Sequence, residues 1–303
     1  MALMTSMGGH IRSASIRGKV KGGDSSPTSI GFLVALWFSL LFALGFLLVL
    51  IVTTAIDGFP RFDGRLFTEF PASSPDRAGA RPAILGSIWV IATTAVMTIP
   101  LGVAAAVHLE EFADKKNWFN RLVELNIQNL AAVPSIVYGL LALAFLVLLG
   151  VENRNIVVAG AFTLSLLILP VIIIATREAL RAVPMEIRQG SLALGATELQ
   201  TVMRQTLPSA VPGIATGSIL ALSRALGEAA PLLLLGALVF VSFDPNGLLS
   251  GYTTMPIQIF NWVGRPQEGF AILASAASIL LLAILLAMNA LAIVIRNRYQ
   301  QRW

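Results

Sequence analysis

The segment ALSRALGEAAP, residues 221–231, sets an arginine and a glutamate four residues apart within an otherwise apolar run. A charged side chain at mid-bilayer costs about 2.5–3.5 kcal/mol on insertion scales. On a continuous helix Arg224 and Glu228 share one face and reach each other. A structural ion pair would explain how the charges are tolerated but not why they are present, since two leucines insert more easily. Charges inside a membrane usually line a pathway. Arginine narrows its ligand: it stays protonated when buried, and its planar fork suits carboxylate, sulfate and phosphate oxygens. The residues therefore point to an anion pathway. Glu228 would hold Arg224 when the site is empty and keep anion binding weak enough for release.

A second pattern runs beside the pair. Gly213, Gly217, Ala221, Ala225 and Ala229 put a small residue at every fourth position, which lets another helix approach closely. Arg224 and Glu228 each precede a stripe residue by one, about 100° around the helix. The expectation is a charged site flanking a close-packed seam between subunits. Gly227 and Pro231 should loosen the helix locally and free backbone groups to line a cavity.

The elements that must position these residues are membrane helices. The 303 residues are 56% hydrophobic and 12% charged, with a mean hydropathy of +0.80; a soluble domain carries about a quarter charged residues. Apolar runs near 30–56, 83–108, 130–150, 157–176, 212–241 and 270–295 predict an all-α polytopic membrane protein with six transmembrane helices. The alternation of a β-barrel is absent. Pro100 and Pro170 should kink the second and fourth spans. Residues 1–29 read as a polar, flexible tail that carries Arg12, Arg17, Lys19 and Lys21, and residues 296–303 as a second tail. With both termini inside, the inner segments hold fourteen of the 21 Lys and Arg residues and the outer ones six, which favours that orientation.

Several chemistries are excluded. There is no cysteine, hence no disulfide, zinc–thiolate site or thiol nucleophile. No GxxxxGK[ST], HExxH or GxSxG occurs, so nucleotide binding by a P-loop, a zinc protease and a serine hydrolase find no support, and no catalytic or metal residue is assigned. His108, Glu110 and Glu111 in HLEEF read as an interfacial, solvated face. No basic stripe with interleaved aromatics suggests nucleic acid. A membrane enzyme using Glu228 as acid or base, and a non-transporting scaffold, stand as the rival classes.

Two loops exceed mere connectors. Loop 57–82, with Pro60, Pro71 and Pro75, is either an irregular surface loop or a docking surface. Loop 177–211 reads as short helices between Pro184 and Pro208, broken at Gly190 and Gly195. Its apolar Ile187, Leu192, Leu194, Leu199, Val202 and Met203 suit docking into a partner's groove, or a helix lying on lipid headgroups.

The stretch EIRQGSLALGATELQTVMRQTLPSAVPGI, 186–214, resembles the EAA loop of ABC-transporter permeases. Gly195 stands as the motif glycine, and Leu207-Pro208 close the motif at the right spacing; Gln189-Gly190-Ser191 replace EAA and Gln205 replaces the isoleucine. NIQNLAAVPSIVYGLLAL (126–143), SRALGEAAPLL (223–233) and MPIQIFNW (255–262) are similar to the PstA family of phosphate-transport permeases, from about residue 60 to the C-terminus. The resemblance implies a type I ABC importer permease domain over 83–295 with a cytoplasmic coupling helix in the EAA-like loop, about 186–208, where Gly195, Ala196, Leu207 and Pro208 would contact the ATPase. It implies no covalent chemistry, no cofactor on this chain, and ATP and magnesium on a separate subunit in the bacterial inner membrane. The implied partners are a PstC-like permease, a PstB-like ATPase dimer and a PstS-like periplasmic phosphate-binding protein. Inorganic phosphate is the implied substrate, with sulfate or molybdate as the alternative oxyanions. The family arginine and glutamate fall on Arg224 and Glu228. A second family arginine falls on Ile174, and Arg177, one turn later, is the available substitute.

Overall fold

The computed structural model describes residues 27–114, 116–237 and 240–299; most of the expected tail 1–29, with its four basic residues, and the end of the tail 296–303 lie outside them. The chain divides into two units, up to Leu50 and from Ile51 onward. Helix α1 (Pro27–Gly58) supplies the first unit and enters the second.

Among the described residues, five helical stretches are long and apolar enough to cross a membrane: Ser29–Arg61, Arg81–Phe112, Val157–Arg181, Glu198–Leu226 and Glu268–Arg298. The third expected span, 130–150, is a bent pair. Helices α2 (Gly64–Thr68) and α3 (Arg81–Val107) precede it, and α3 closes in a π turn, His108–Phe112. Helix α4 (Trp118–Ala131) starts where the Asn117 side chain accepts from the Phe119 amide at 2.9 Å. It then breaks, and α5 (Ser135–Leu148) leaves at 111° to it. A continuous helix over 130–150 was the expectation. Pro134 has no N–H to give and pushes Val133 out of helical geometry, so the run splits. Helices α3 and α6 (Val157–Arg181) continue through Pro100 and Pro170.

The loop after α6 holds α7 (Met185–Ala193) and α8 (Glu198–Thr201), and a π turn at Val202–Thr206 leads into α9 (Leu207–Leu226). The predicted fifth span, 212–241, is also corrected: α9 stops at Leu226, and six residues of α10 (Ala230–Leu235) follow a break. Helices α11 (Met255–Val263) and α12 (Glu268–Tyr299) complete the second unit.

Helix α6 is the hub, packing on α3, α4, α5, α9 and α10. Its Leu164, Ile168 and Ile172 sit in one buried cluster with Val90, Ala221 and Leu232. A second cluster joins Leu66, Met255, Trp262 and Phe270. It shows that loop 57–82 is ordered: Asp63 caps α2 through the Arg65 and Leu66 amides at 3.1 and 3.3 Å, and Leu66 is fully buried. Far along the chain, Ile156 and Gly251 form an antiparallel bridge. The Val157 and Val158 amides donate to the Ser250 and Leu248 carbonyls, each at 3.0 Å.

Candidate functional site

The break between α9 and α10 is built by residue type. After Leu226 the chain closes with the Gly227 amide on the Arg224 carbonyl and the Glu228 amide on the Ala225 carbonyl, both at 3.1 Å. Pro231, in the first turn of α10, needs no amide partner there. Gly236 ends α10 at φ +97°, a left-handed conformation open to glycine. Gly227 and Pro231 thus loosen the span, as their types predict.

That break separates the two charges. The i, i+4 relation presupposes an unbroken helix, and here Arg224 lies in the last turn of α9 while Glu228 lies in the linker. Among the described residues neither side chain has a hydrogen bond or ion pair, and no Arg224–Glu228 pair forms, which corrects the expectation that Glu228 holds Arg224. Arg224 is exposed; Glu228 is half-buried and lines a small cavity with Ser87, Leu164 and Thr254. Among the described residues the Arg224 guanidinium, at a break in a spanning helix, has no carboxylate partner.

The α4–α5 elbow faces this break. The Tyr138 hydroxyl donates to the Leu130 carbonyl at 2.7 Å, clasping the end of α4 to the start of α5, and Arg224 lies within electrostatic reach of it. Beside it, Gly139 meets Pro231 so closely that an added Cβ would stand 2.7 Å from the proline Cα. Two interrupted helices therefore place their breaks together, the arrangement by which membrane proteins bring free backbone groups to a site. Tyr138 was not singled out by sequence; its place four residues after Pro134 is the available signal.

The small-residue stripe packs inside the chain. A Cβ on Gly213 would lie 2.8 Å from that of Ala179, and one on Gly217 2.6 Å from that of Ala175, both on α6. Ala221 and Ala225 are buried in the main cluster and Ala229 packs against it. The expected seam between subunits is thus a seam between α9 and α6.

Arg177 is not free for an anion. It is buried, its Nε donates to Glu110 at 3.1 Å and its terminal nitrogen to Glu124 at 2.8 Å. Arg181 reaches the same Glu110 oxygen at 2.9 Å. Glu111 pairs with Arg188 at 2.7 Å. The side chains of Glu110 and Glu111 are only 5% and 9% exposed, so the expected solvated face is a pair of buried anchors. A cavity of about 280 Å³ opens beside them, lined by Asp114, Arg121, Glu124, Arg177 and Arg181. Ile174, where the family arginine would fall, is half-buried on α6.

The α7–α8 hairpin turns at Gly195, φ +86°. Thr197 caps α8 in a reciprocal box with Gln200, and the Ser191 and Thr201 hydroxyls meet at 2.8 Å. Ile187 and Leu207 pack inward on Leu180, Val183 and Ala210, and Val202 is buried. Leu192, Leu194, Leu199 and Met203 stay exposed. They accompany a hollow of about 410 Å³ lined by Glu186, Gly190, Leu194, Ala196 and Arg204. Pro208 is exposed in the first turn of α9.

Residues 98–303 match the family described as binding-protein-dependent transport system inner membrane component. The probable ABC transporter permease protein YqgI of Bacillus subtilis (strain 168) is 33% identical over 222 residues, 72% of each chain. The phosphate transport system permease protein PstA of Yersinia pestis is 32% identical over 258 residues, covering 85% of this chain and 86% of its own. Among solved structures, a chain of the bacterial alginate ABC transporter aligns with TM-score 0.59 at 15% identity, over 90% of this chain and 98% of that one. A chain of the MetNI methionine ABC transporter, in an inward-facing conformation, aligns with TM-score 0.52 at 18% identity, over 69% and 94%. At these identities the structural likeness speaks to fold alone, and the fold is that of type I ABC importer permeases.

Proposed function

The chain belongs to the family of binding-protein-dependent transport system inner membrane components, and we propose that it is the permease subunit of an importer for inorganic phosphate. It is a multi-pass membrane transport subunit and not an enzyme; ATP is hydrolysed by a separate subunit. The observation that carries the substrate is Arg224, an exposed guanidinium with no acidic partner among the described residues, at the point where α9 breaks. Relatives named phosphate transport system permease protein PstA support the choice of phosphate among oxyanions.

In this reading both termini face the cytoplasm. The exposed apolar group of the α7–α8 hairpin, turning at Gly195 and Ala196, docks on a PstB-like ATPase. A PstC-like permease forms the other half of the pathway, and a PstS-like periplasmic protein delivers phosphate. ATP and magnesium sit on the ATPase, with no cofactor on this chain. Alternate opening of the two halves presents Arg224 to each side in turn. Glu228 lies off the anion's path, on the side of the small cavity it lines with Ser87 and Thr254.

The test is radiolabelled phosphate uptake by cells that lack their own phosphate permease and carry this chain with the three partner types. Wild type should take up phosphate and Arg224→Gln should not, at equal amounts in the membrane. Equal uptake by both would remove Arg224 from the pathway. Excess unlabelled sulfate or molybdate should not compete; competition would reassign the oxyanion.

A further inference from the structure

Helix α3 ends in a turn that carries two acidic residues, Glu110 and Glu111. Its last turn is a π turn, closed by the Ala113 amide on the His108 carbonyl at 2.9 Å. Widened turns of this kind recur at functional sites. Two consecutive carboxylates leave it for different helices. Glu111 takes Arg188 of α7, and Glu110 takes Arg177 and Arg181 of α6.

Arg188 does more than pair. Its guanidinium also donates to the Val183 carbonyl at 3.0 Å and the Leu180 carbonyl at 2.9 Å. These are backbone acceptors at and just beyond the C-terminal end of α6, where helical partners run out. One side chain of α7 therefore holds both the α3 end and the α6 end. Arg177 extends the connection, because its second partner, Glu124, belongs to α4. Helix α4 leads to the elbow, where Tyr138 clasps Leu130 and Gly139 abuts Pro231 of α10.

We propose that Glu110 and Glu111 are positioning residues that lock α7, the α3 end, α6 and α4 into one moving body. Movement of the α7–α8 hairpin is thereby delivered to the elbow beside Arg224. This rests on the reading of that hairpin as the ATPase-docking element. Charge-assisted bonds between largely buried partners are short, directional and poorly replaced by water, so the connection holds under load where exposed pairs would exchange. Glu124 and Arg181 are the more exposed members, and the lock is weakest on their side. Energetic coupling of this kind is established by interaction between substitutions and not by proximity.

The chain has no cysteine, so introduced cysteines are its only labelling sites once it is assembled with cysteine-free partner subunits. Labels at Gln189→Cys on α7 and Gln128→Cys on α4, both exposed positions, should keep one separation with and without ATP. In Glu111→Gln the separation should change on ATP binding. A wild-type separation that changes with ATP as much as the variant's would overturn the proposal. The second readout is phosphate taken up per ATP hydrolysed, a ratio that a mere loss of folded protein does not move. It should fall about fivefold or more in Glu111→Gln and equally in Arg188→Gln. The double variant should be no worse than either, and Glu111→Asp should recover part of it. Multiplying losses in the double variant, or an unchanged ratio in the singles, would overturn the lock. If wild type moves no phosphate, the substrate reading fails, while the label separation still decides the lock.

Discussion

Gly139 of α5 lies against the backbone of Pro231 of α10, with no room between them for a side chain. This contact joins the two helix breaks, so it sets how far the elbow and the α9–α10 linker stand from each other. It also places them beside the one arginine set within the fifth span.

Gly139→Val is therefore expected to force the breaks apart. A Cβ there would meet the Pro231 Cα at 2.7 Å and its carbonyl oxygen at 2.8 Å, and backbone cannot yield as a flexible side chain does. The chain should still insert, because its apolar spans are unchanged. Phosphate uptake should fall at least about tenfold, and uptake at the wild-type rate would show that the spacing is not needed.

Glu228→Gln separates the two charges experimentally. Since Glu228 makes no pair with Arg224, neutralising it should leave the phosphate concentration for half-maximal uptake within about twofold of wild type. A large tightening of phosphate binding would instead mean that Glu228 competes with the anion for Arg224 during transport.

Gly195→Asp probes the hairpin. A Cβ at Gly195 meets nothing within 4 Å, and aspartate is among the residues that tolerate the left-handed backbone at φ +86°, so the charge is the larger disturbance. The added charge also falls within the proposed docking surface. The variant should reach the membrane yet fail to retain the ATPase on purification. Normal retention with normal uptake would argue against ATPase docking at this turn.

Arg177→Met and Arg224→Gln should differ in kind. Removing Arg177 leaves Glu110 and Glu124 short of a buried partner, a loss of about 3–5 kcal/mol for fully buried pairs, lessened here by Arg181, which still reaches both carboxylates. Thermal unfolding of the detergent-solubilised complex should come at lower temperature in Arg177→Met and be unchanged in Arg224→Gln. The opposite pattern would exchange their roles.

Much of this architecture was legible in the residues, and what was not has a physical cause. Hydropathy located the spans because burial in lipid demands apolar length. It did not locate the interruptions: Val133-Pro134 and Gly227-Glu228 lie within runs whose average stays apolar. The Arg224–Glu228 pair was a fair inference from helical spacing, and it failed because the helix ends between them. Glu110 and Glu111 looked solvated because their partners are remote; Arg177 is 67 residues from Glu110 and Arg188 77 from Glu111. A matched set of acids and arginines at span ends, in a chain only 12% charged, was the signal available. The glycine–alanine stripe gave a true seam, but sequence carries no mark of whether the facing helix is one's own.

The bridge between Ile156 and Gly251 has a consequence for biosynthesis. A ribosome delivers Ile156 long before Gly251, and chains begin folding from the N-terminal side. The amides of Val157 and Val158 therefore wait for carbonyl partners until the segment beyond α10 has emerged. Until then α10, six residues long, has no anchor on its far side. The segment after α10 thus finishes a structure that the chain before it leaves open. Stop codons before Ser250 should yield an inserted but unsealed protein, exposed to quality-control proteases at the α6 start.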